Sequence, residues 1–194
     1  MGRVFFTADQ HFCHESIIHM CGRPFYSLHD MNSGMIEAWN SVVRDDDVVW
    51  HLGDFAHRGK PAEVRAIFDL LAGTKKLVRG NHDKQMTTQL PWAEQCDFKH
   101  IAIDGVQVTL SHYAMRSWPA MHRGAYMLFG HSHGVLPGSR NTIDVGVDNV
   151  GYMPLQLSNL RKHFMDKLPR LAFDEGRPFE QPENELADSG GFEP

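Results

Sequence analysis

Five times along this chain a short apolar run stops at a cluster of aspartate, asparagine or histidine, and this repeated punctuation constrains the fold most tightly. Arg3 to Thr7 runs into Asp9-Gln10-His11, Asp47 to Leu52 into Gly53-Asp54, and Lys76 to Arg79 into Gly80-Asn81-His82-Asp83. Val106 to Leu110 runs into Ser111-His112, and Ala125 to Phe129 into Gly130-His131-Ser132-His133. Short runs rich in β-branched and aromatic residues read as buried strands that deliver polar residues at their ends. In sheet-based α/β folds ligands gather outside the carboxyl ends of the strands, so clusters far apart in sequence converge in space.

Helical patterns lie between the first strands. From Leu28 to Val43 the residues Met31, Met35, Ile36, Trp39, Val42 and Val43 recur at helical spacing, with Ser27 or Asp30 as N-cap. Pro61 at a first helical position, an apolar face of Val64, Ile67, Phe68 and Leu71, and Gly73 as a stop predict a second helix. The pattern then changes. His100 to Ile103 and Val106 to Leu110 alternate around Asp104-Gly105, a hairpin signal. Thr142 to Val147 reads as a further strand, and Ser158 as the cap of a last short helix through Phe164. Strand and helix alternation followed by hairpins predicts a mixed α/β sandwich. One domain, 1–166, is expected, followed by a polar tail, 167–194, whose Pro-, Glu- and Gly-rich composition from Asp174 onward predicts flexibility.

Composition excludes several classes. A chain of 194 residues with 42% hydrophobic content suits one domain, burying roughly 70% of the surface its unfolded form exposes. The net charge is −5, and the 19 basic residues are spread thinly, with no run longer than Lys75-Lys76. That distribution is not an electrostatic footprint for nucleic acid. No window approaches ~18 uninterrupted apolar residues, and the chain reaches Asp9 before any signal-like apolar stretch, so a cytoplasmic protein without membrane contact is expected. Cys13, Cys21 and Cys96 form no Cys-x-x-Cys pair, which argues against a disulfide framework or a zinc ribbon. The sequence carries no signal for oligomeric state. Histidine is over-supplied, at thirteen residues, and it is both a common metal ligand and the usual acid/base group near neutral pH.

Bringing two dications within about 4 Å requires a shared ligand, and a carboxylate is suited to bridging them; Asp54 is the candidate. Gly53, Gly80 and Gly130 allow sharp backbone turns beside the clusters. Mixed imidazole, carboxylate and amide donors suit Mn, Fe, Zn, Co or Ni better than Ca. Two dications carry about +4, of which Asp9 and Asp54 cancel half, so an anionic phosphate oxygen is a natural guest. Outside the clusters, His14 could contact substrate or a metal, or cap the following helix. Arg23 and Arg116 could clamp a phosphate through two parallel hydrogen bonds, or anchor loops. His51, His57, His100, His122 and His163 lack such a context and are assigned to packing or solvent.

The order and spelling of the clusters, D-x-H, G-D, G-N-H-D, H and G-H-x-H, resemble the calcineurin-like metallophosphoesterase superfamily from Thr7 to about Val147. Thr7-Ala8-Asp9-Gln10-His11-Phe12 with His14, Arg23-Pro24-Phe25 and Ser111-His112-Tyr113-Ala114-Met115-Arg116-Ser117-Trp118 look like a small bacterial and phage branch of predicted phosphoesterases. The resemblance implies two mixed β-sheets packed as a sandwich flanked by helices. It implies one metal held by Asp9, His11 and His133 and another by Asn81, His112 and His131, with Asp54 bridging. Manganese is the foremost expectation, with Fe, Zn, Ni, Co or Mg as alternatives. His82 stays off the metals, protonating the leaving oxygen or stabilising the phosphoryl group, with Asp83 as its orienting partner. A bridging hydroxide is the implied nucleophile. The implied activity is metal-dependent hydrolysis of phosphate esters, diesters favoured over monoesters, on a small molecule or nucleotide. Two other readings stay open. A nuclease would want a basic groove, and a catalytically silent metal-binding scaffold would usually lack a ligand or the motif histidine, all of which are present here.

Overall fold

In the computed structural model, which describes residues 2–168, the chain opens with β1 (Val4–Thr7). Side chains alternate across a strand, and β1 uses both faces: Phe5 enters one hydrophobic core and Phe6 another. Next come α1 (Ser16–Met20) and α2 (Leu28–Val42). The latter is capped by Ser27, whose side chain accepts the Asp30 amide at 3.1 Å, and it buries Met31, Met35 and Trp39. β2 (Val48–His51) and α3 (Pro61–Leu70) follow, the helix beginning with proline as expected. β3 (Thr74–Val78), α4 (Gln85–Thr88) and β4 (Glu94–Cys96) complete the first half.

The second half holds the expected hairpin, β5 (Phe98–Ile103) and β6 (Val106–Ser111), then β7 (Tyr126–Phe129) and β8 (Thr142–Asp144). It ends with α5 (Val147–Val150), β9 (Leu155–Gln156) and α6 (Leu157–His163). Two local expectations are corrected. The strand expected through Val147 stops at Asp144, because the Asp144 carboxylate accepts the Gly146 amide at 2.7 Å and turns the chain. Ser158 is not a cap but lies inside α6, which starts directly from Gln156 as that residue leaves β9.

The strands form two mixed sheets. One has the order β4-β3-β2-β1-β9 and the other β5-β6-β7-β8. In the first, β1 to β4 are parallel and β9 pairs antiparallel with β1. In the second, only the β5–β6 hairpin is antiparallel. Phe6, Trp50, Val78, Val108, Leu110, Leu128 and Ile143 fill the space between the sheets. Met31, Met35, Trp39, Ile67, Phe68 and Leu77 fill the core between the first sheet and its helices. This is the expected sandwich of two mixed sheets flanked by helices. No helix among the described residues is long and apolar enough to cross a membrane. The tail expected from 167 onward lies outside the described residues from 169 on.

Candidate metal centre

The carboxyl ends of β1, β2, β3, β6 and β7 all open on one edge of the sandwich, where the five polar clusters sit. The loop after β1 runs beside the loop after β2, with the Asp9 amide donating to Gly53 O at 3.0 Å and the His11 amide to Asp54 O at 3.0 Å. The backbone is left-handed at Asp9, His11, Asp54, His131 and His133, with φ of 60°, 51°, 59°, 69° and 47°. Such conformations cost about 1–3 kcal/mol each in a non-glycine residue and cluster at functional sites. Gly80 is needed for close approach, since a Cβ there would lie 2.3 Å from Asp54 Oδ1 and 2.5 Å from Asp54 N.

The expected ligand residues gather in two groups. Asp9, His11 and His133 bring one donor atom each within 4.8 Å of one another, and Asp54, His112 and His131 do the same. Asn81 Oδ1 lies 3.0 Å from His112 Nε2, adding it to the second group. Asp54 stands between them, its Oδ2 at 3.5 Å from both His11 Nε2 and His112 Nε2. Its other oxygen accepts the His82 amide at 2.8 Å.

Hydrogen bonding behind the imidazoles fixes which nitrogen faces inward. His112 Nδ1 donates to Leu52 O at 2.8 Å, and His133 Nδ1 to Asp148 Oδ2 at 2.7 Å, leaving Nε2 of each as a lone pair. For His112 that lone pair meets the Asn81 carbonyl oxygen, an acceptor against an acceptor that a cation reconciles.

Buried polar atoms normally find a hydrogen-bond partner. Here Asp9 Oδ1 and both ring nitrogens of His11 are buried without one. Burial, then the charges of Asp144 and Asp54, pushes the Asp9 carboxyl well above its ordinary value. Burial, then His133 and Arg23, holds His11 far below the usual imidazole range. Lone pairs turned inward, uncompensated carboxylates and imidazoles held neutral are the donor set a divalent cation takes. By this test the residues fit two such ions.

His82 belongs to neither group. Its ring lies 4.5 Å from His57 and 5.4 Å from His11, centroid to centroid. His14 closes a circuit of four imidazoles, 4.6 Å from His57 and 5.4 Å from His11. His14 Nε2 meets Ser16 Oγ at 2.9 Å, while its Nδ1 is buried without a partner. Burial, followed by His57 and Arg58, pulls the His14 pKa down to about 4. Beside Asn81 and His112 a cavity of about 330 Å³ opens, with Arg79, Asp97 and Tyr113 on its walls.

Two role expectations are corrected. Asp83 does not serve as the orienting partner of His82: its carboxylate accepts the Asp54, Phe55 and Gly80 amides at 2.8, 3.0 and 2.8 Å, pinning two ligand loops together. Arg23 cannot clamp a phosphate, because its side chain is fully buried and its donors go to Asp148, Asp9 O, Gln10 O and Met31 Sδ. Arg116 is exposed on the segment after β6. Two residues escaped sequence reasoning. Asp144 shapes the histidine loop by accepting Ser132 Oγ at 2.5 Å and the Gly134 amide at 2.9 Å. Asp148 stands behind His133. Their signal was a sixth apolar run, Thr142 onward, that also ends among carboxylates.

A sequence profile of the calcineurin-like phosphoesterase superfamily domain matches residues 7–157. An uncharacterized protein of Methanocaldococcus jannaschii is 32% identical over 170 residues, covering 84% of this chain and 91% of that one. The gene 66 protein of Mycobacterium phage D29 is 30% identical over 183 residues, covering 76% of this chain and 89% of the phage protein. Among solved structures, a protein of unknown function from Aquifex aeolicus superposes with a TM-score of 0.67 at 25% identity, covering 84% of this chain and 99% of that one.

Proposed function

The chain belongs to the calcineurin-like phosphoesterase superfamily, and from that premise we propose that it is a metal-dependent hydrolase of phosphate esters working with two divalent cations. The observation that carries this reading is Asp54 Oδ2, equidistant from His11 and His112, between one group whose Asp9 Oδ1 and His11 nitrogens are buried without partners and another in which His112 Nε2 faces the Asn81 carbonyl oxygen. Asp9, His11 and His133 would hold one cation, Asn81, His112 and His131 the other, and Asp54 both. Mn is the cation we put first, with Fe, Zn, Ni, Co or Mg as alternatives, and the mixed oxygen and nitrogen donors do not choose among them. Bound there, two dications neutralise phosphoryl charge and lower the pKa of water enough for attack on phosphorus at neutral pH.

The chain's own contribution is positioning and proton transfer. Asp83 fixes the Asp54 and Gly80 loops against each other, so the bridging carboxylate cannot swing away. His82, anchored through its amide to Asp54 and flanked by His57 and His11, is free of both ligand groups and donates a ring proton to the departing oxygen. That donor matters most for a poor alkoxide leaving group, which favours phosphodiesters over monoesters. His14, with its unpartnered Nδ1, and the exposed Arg116 are the candidate contacts to substrate. A cavity of about 330 Å³ suits a small phosphate ester or a nucleotide.

The test is hydrolysis of bis-p-nitrophenyl phosphate and p-nitrophenyl phosphate by metal-stripped protein, with and without added Mn²⁺, Ni²⁺, Zn²⁺ or Mg²⁺. Metal-restored cleavage, faster on the diester, is expected. His82→Ala should lower turnover about 100-fold or more with bound metal unchanged by elemental analysis, whereas Asp54→Ala should lose metal. Equal metal loss in both variants would overturn the assignment of His82.

A further inference from the structure

Arg23 has five N–H donors, and all of them are committed inside the protein. Nε donates to Asp148 Oδ1 at 2.8 Å and Nη2 to Asp148 Oδ2 at 2.8 Å, a two-pronged contact. The remaining donors reach Asp9 O and Gln10 O, each at 2.7 Å, and Met31 Sδ at 3.5 Å. Asp148 in turn receives the Nδ1 proton of His133 at 2.7 Å. Side-chain exposure is 0% for Arg23 and 5% for Asp148, so the pair is shielded from water. The chain Asp9/Gln10 backbone, Arg23, Asp148, His133 therefore joins the strand-end loop of the first sheet to the histidine loop of the second.

Among the described residues the second ligand group has nothing comparable, since His112 rests its Nδ1 proton on the neutral carbonyl of Leu52. A carboxylate behind an imidazole makes its other nitrogen a stronger donor and locks the ring's orientation more firmly than a carbonyl does. Cys21 Sγ, 3.5 Å from His133 Nδ1, does not compete for that role. That contact is the longer and weaker one beside the 2.7 Å bond from His133 Nδ1 to Asp148.

We propose that Arg23 and Asp148 are positioning residues for one cation only: Asp148 holds His133 with Nε2 turned toward Asp9 and His11, and Arg23 fixes Asp148 and the Asp9 backbone in the same clamp. The proposal rests on the two-cation reading above. Removing either partner alone leaves a buried charge unpaired, which destabilises the fold. The test therefore uses the neutral double variant Arg23→Gln/Asp148→Asn, checked for folding by circular dichroism.

Metal-stripped wild type and double variant are titrated with Mn²⁺ by calorimetry, with bound manganese counted by electron paramagnetic resonance. The variant should lose about 10- to 100-fold in affinity at one position and keep wild-type affinity at the other. Unchanged affinity at both, or equal weakening of both, in a folded variant overturns the proposal. A measurement on wild type stands apart from any variant's folding. Long-range ¹H–¹⁵N spectra of the metal-stripped protein should find His133 in the Nδ1–H form, its proton shifted downfield by a carboxylate. An Nε2–H tautomer overturns the proposal. Absence of Mn²⁺ binding by wild type would count instead against the hydrolase reading, and the tautomer then decides the positioning claim by itself.

Discussion

His51 lies wholly inside the protein, with its Nε2 donating to Gln10 Oε1 at 2.5 Å and its Nδ1 accepting the Gly53 amide at 3.2 Å. Burial, and then the nearby His112, pulls its pKa from 6.5 to about 3. Between those values the unfolded chain binds a proton that the folded chain refuses, so this residue costs stability progressively as pH falls below 6.5. His51→Gln keeps a donor for Gln10 and removes the titration. In urea unfolding of metal-stripped protein, the variant should be less stable than wild type at about pH 7.5, the gap narrowing by about 2 kcal/mol at about pH 5. A gap independent of pH would rule out His51 as the titrating group. The gathering of Asp9, His11, Asp54, Asn81, His82, His112, His131 and His133 is legible in the sequence because each is a reactive type just past an apolar run. Arg23 and Asp83 are legible as residues of interest but not in what they do. A guanidinium fork fits phosphate and carboxylate alike, and only burial decides between them. Asp148 looks like any surface acid until the chain folds it behind His133.

Among the elements, α2 is bounded by chemistry that the sequence displays: a serine cap, three turns of spaced apolar residues and no interior proline. Ser27→Ala should cost about 1 kcal/mol, read by thermal unfolding, with cation affinity unchanged because, among the described residues, the Ser27 hydroxyl bonds only the Asp30 amide of its own helix. A larger loss, or loss of metal, would mean that the start of α2 supports the site. The strands that carry clusters are legible for the same reason, as alternation or an apolar run with an abrupt polar end. The missed elements, α1, α4, α5, β4 and β9, are two to five residues long. None spans enough residues for a period to register, and each is held by contacts made elsewhere in the fold. Trp92 Nε1 donates to Thr87 O at 2.8 Å beneath α4, and β4 exists through its pairing with β3.

At the scale of the molecule, each ligand group straddles the sandwich. Asp9, His11 and Asp54 come from loops of the first sheet, and His112, His131 and His133 from loops of the second. The packing between sheets therefore sets the spacing of the donors, whereas the packing under the helices does not. Leu128, fully buried between the sheets, and Met35, 1% exposed beneath α2, separate these effects. Truncating either to alanine should cost about 2–5 kcal/mol, but only Leu128→Ala should weaken Mn²⁺ binding in calorimetric titration. Equal effects on binding would mean that the sheets do not act as two jaws. The left-handed backbone at five of the candidate ligands bears on ancestry as well as chemistry. At those positions glycine is the residue the main chain itself prefers, so a mutation that erases a ligand can also relax the fold. For Asp9 and Asp54 a single nucleotide change suffices. A lineage released from selection for the role proposed for these side chains would slide toward sturdier, inert descendants, since aspartate and histidine at these positions answer no demand of the main chain itself.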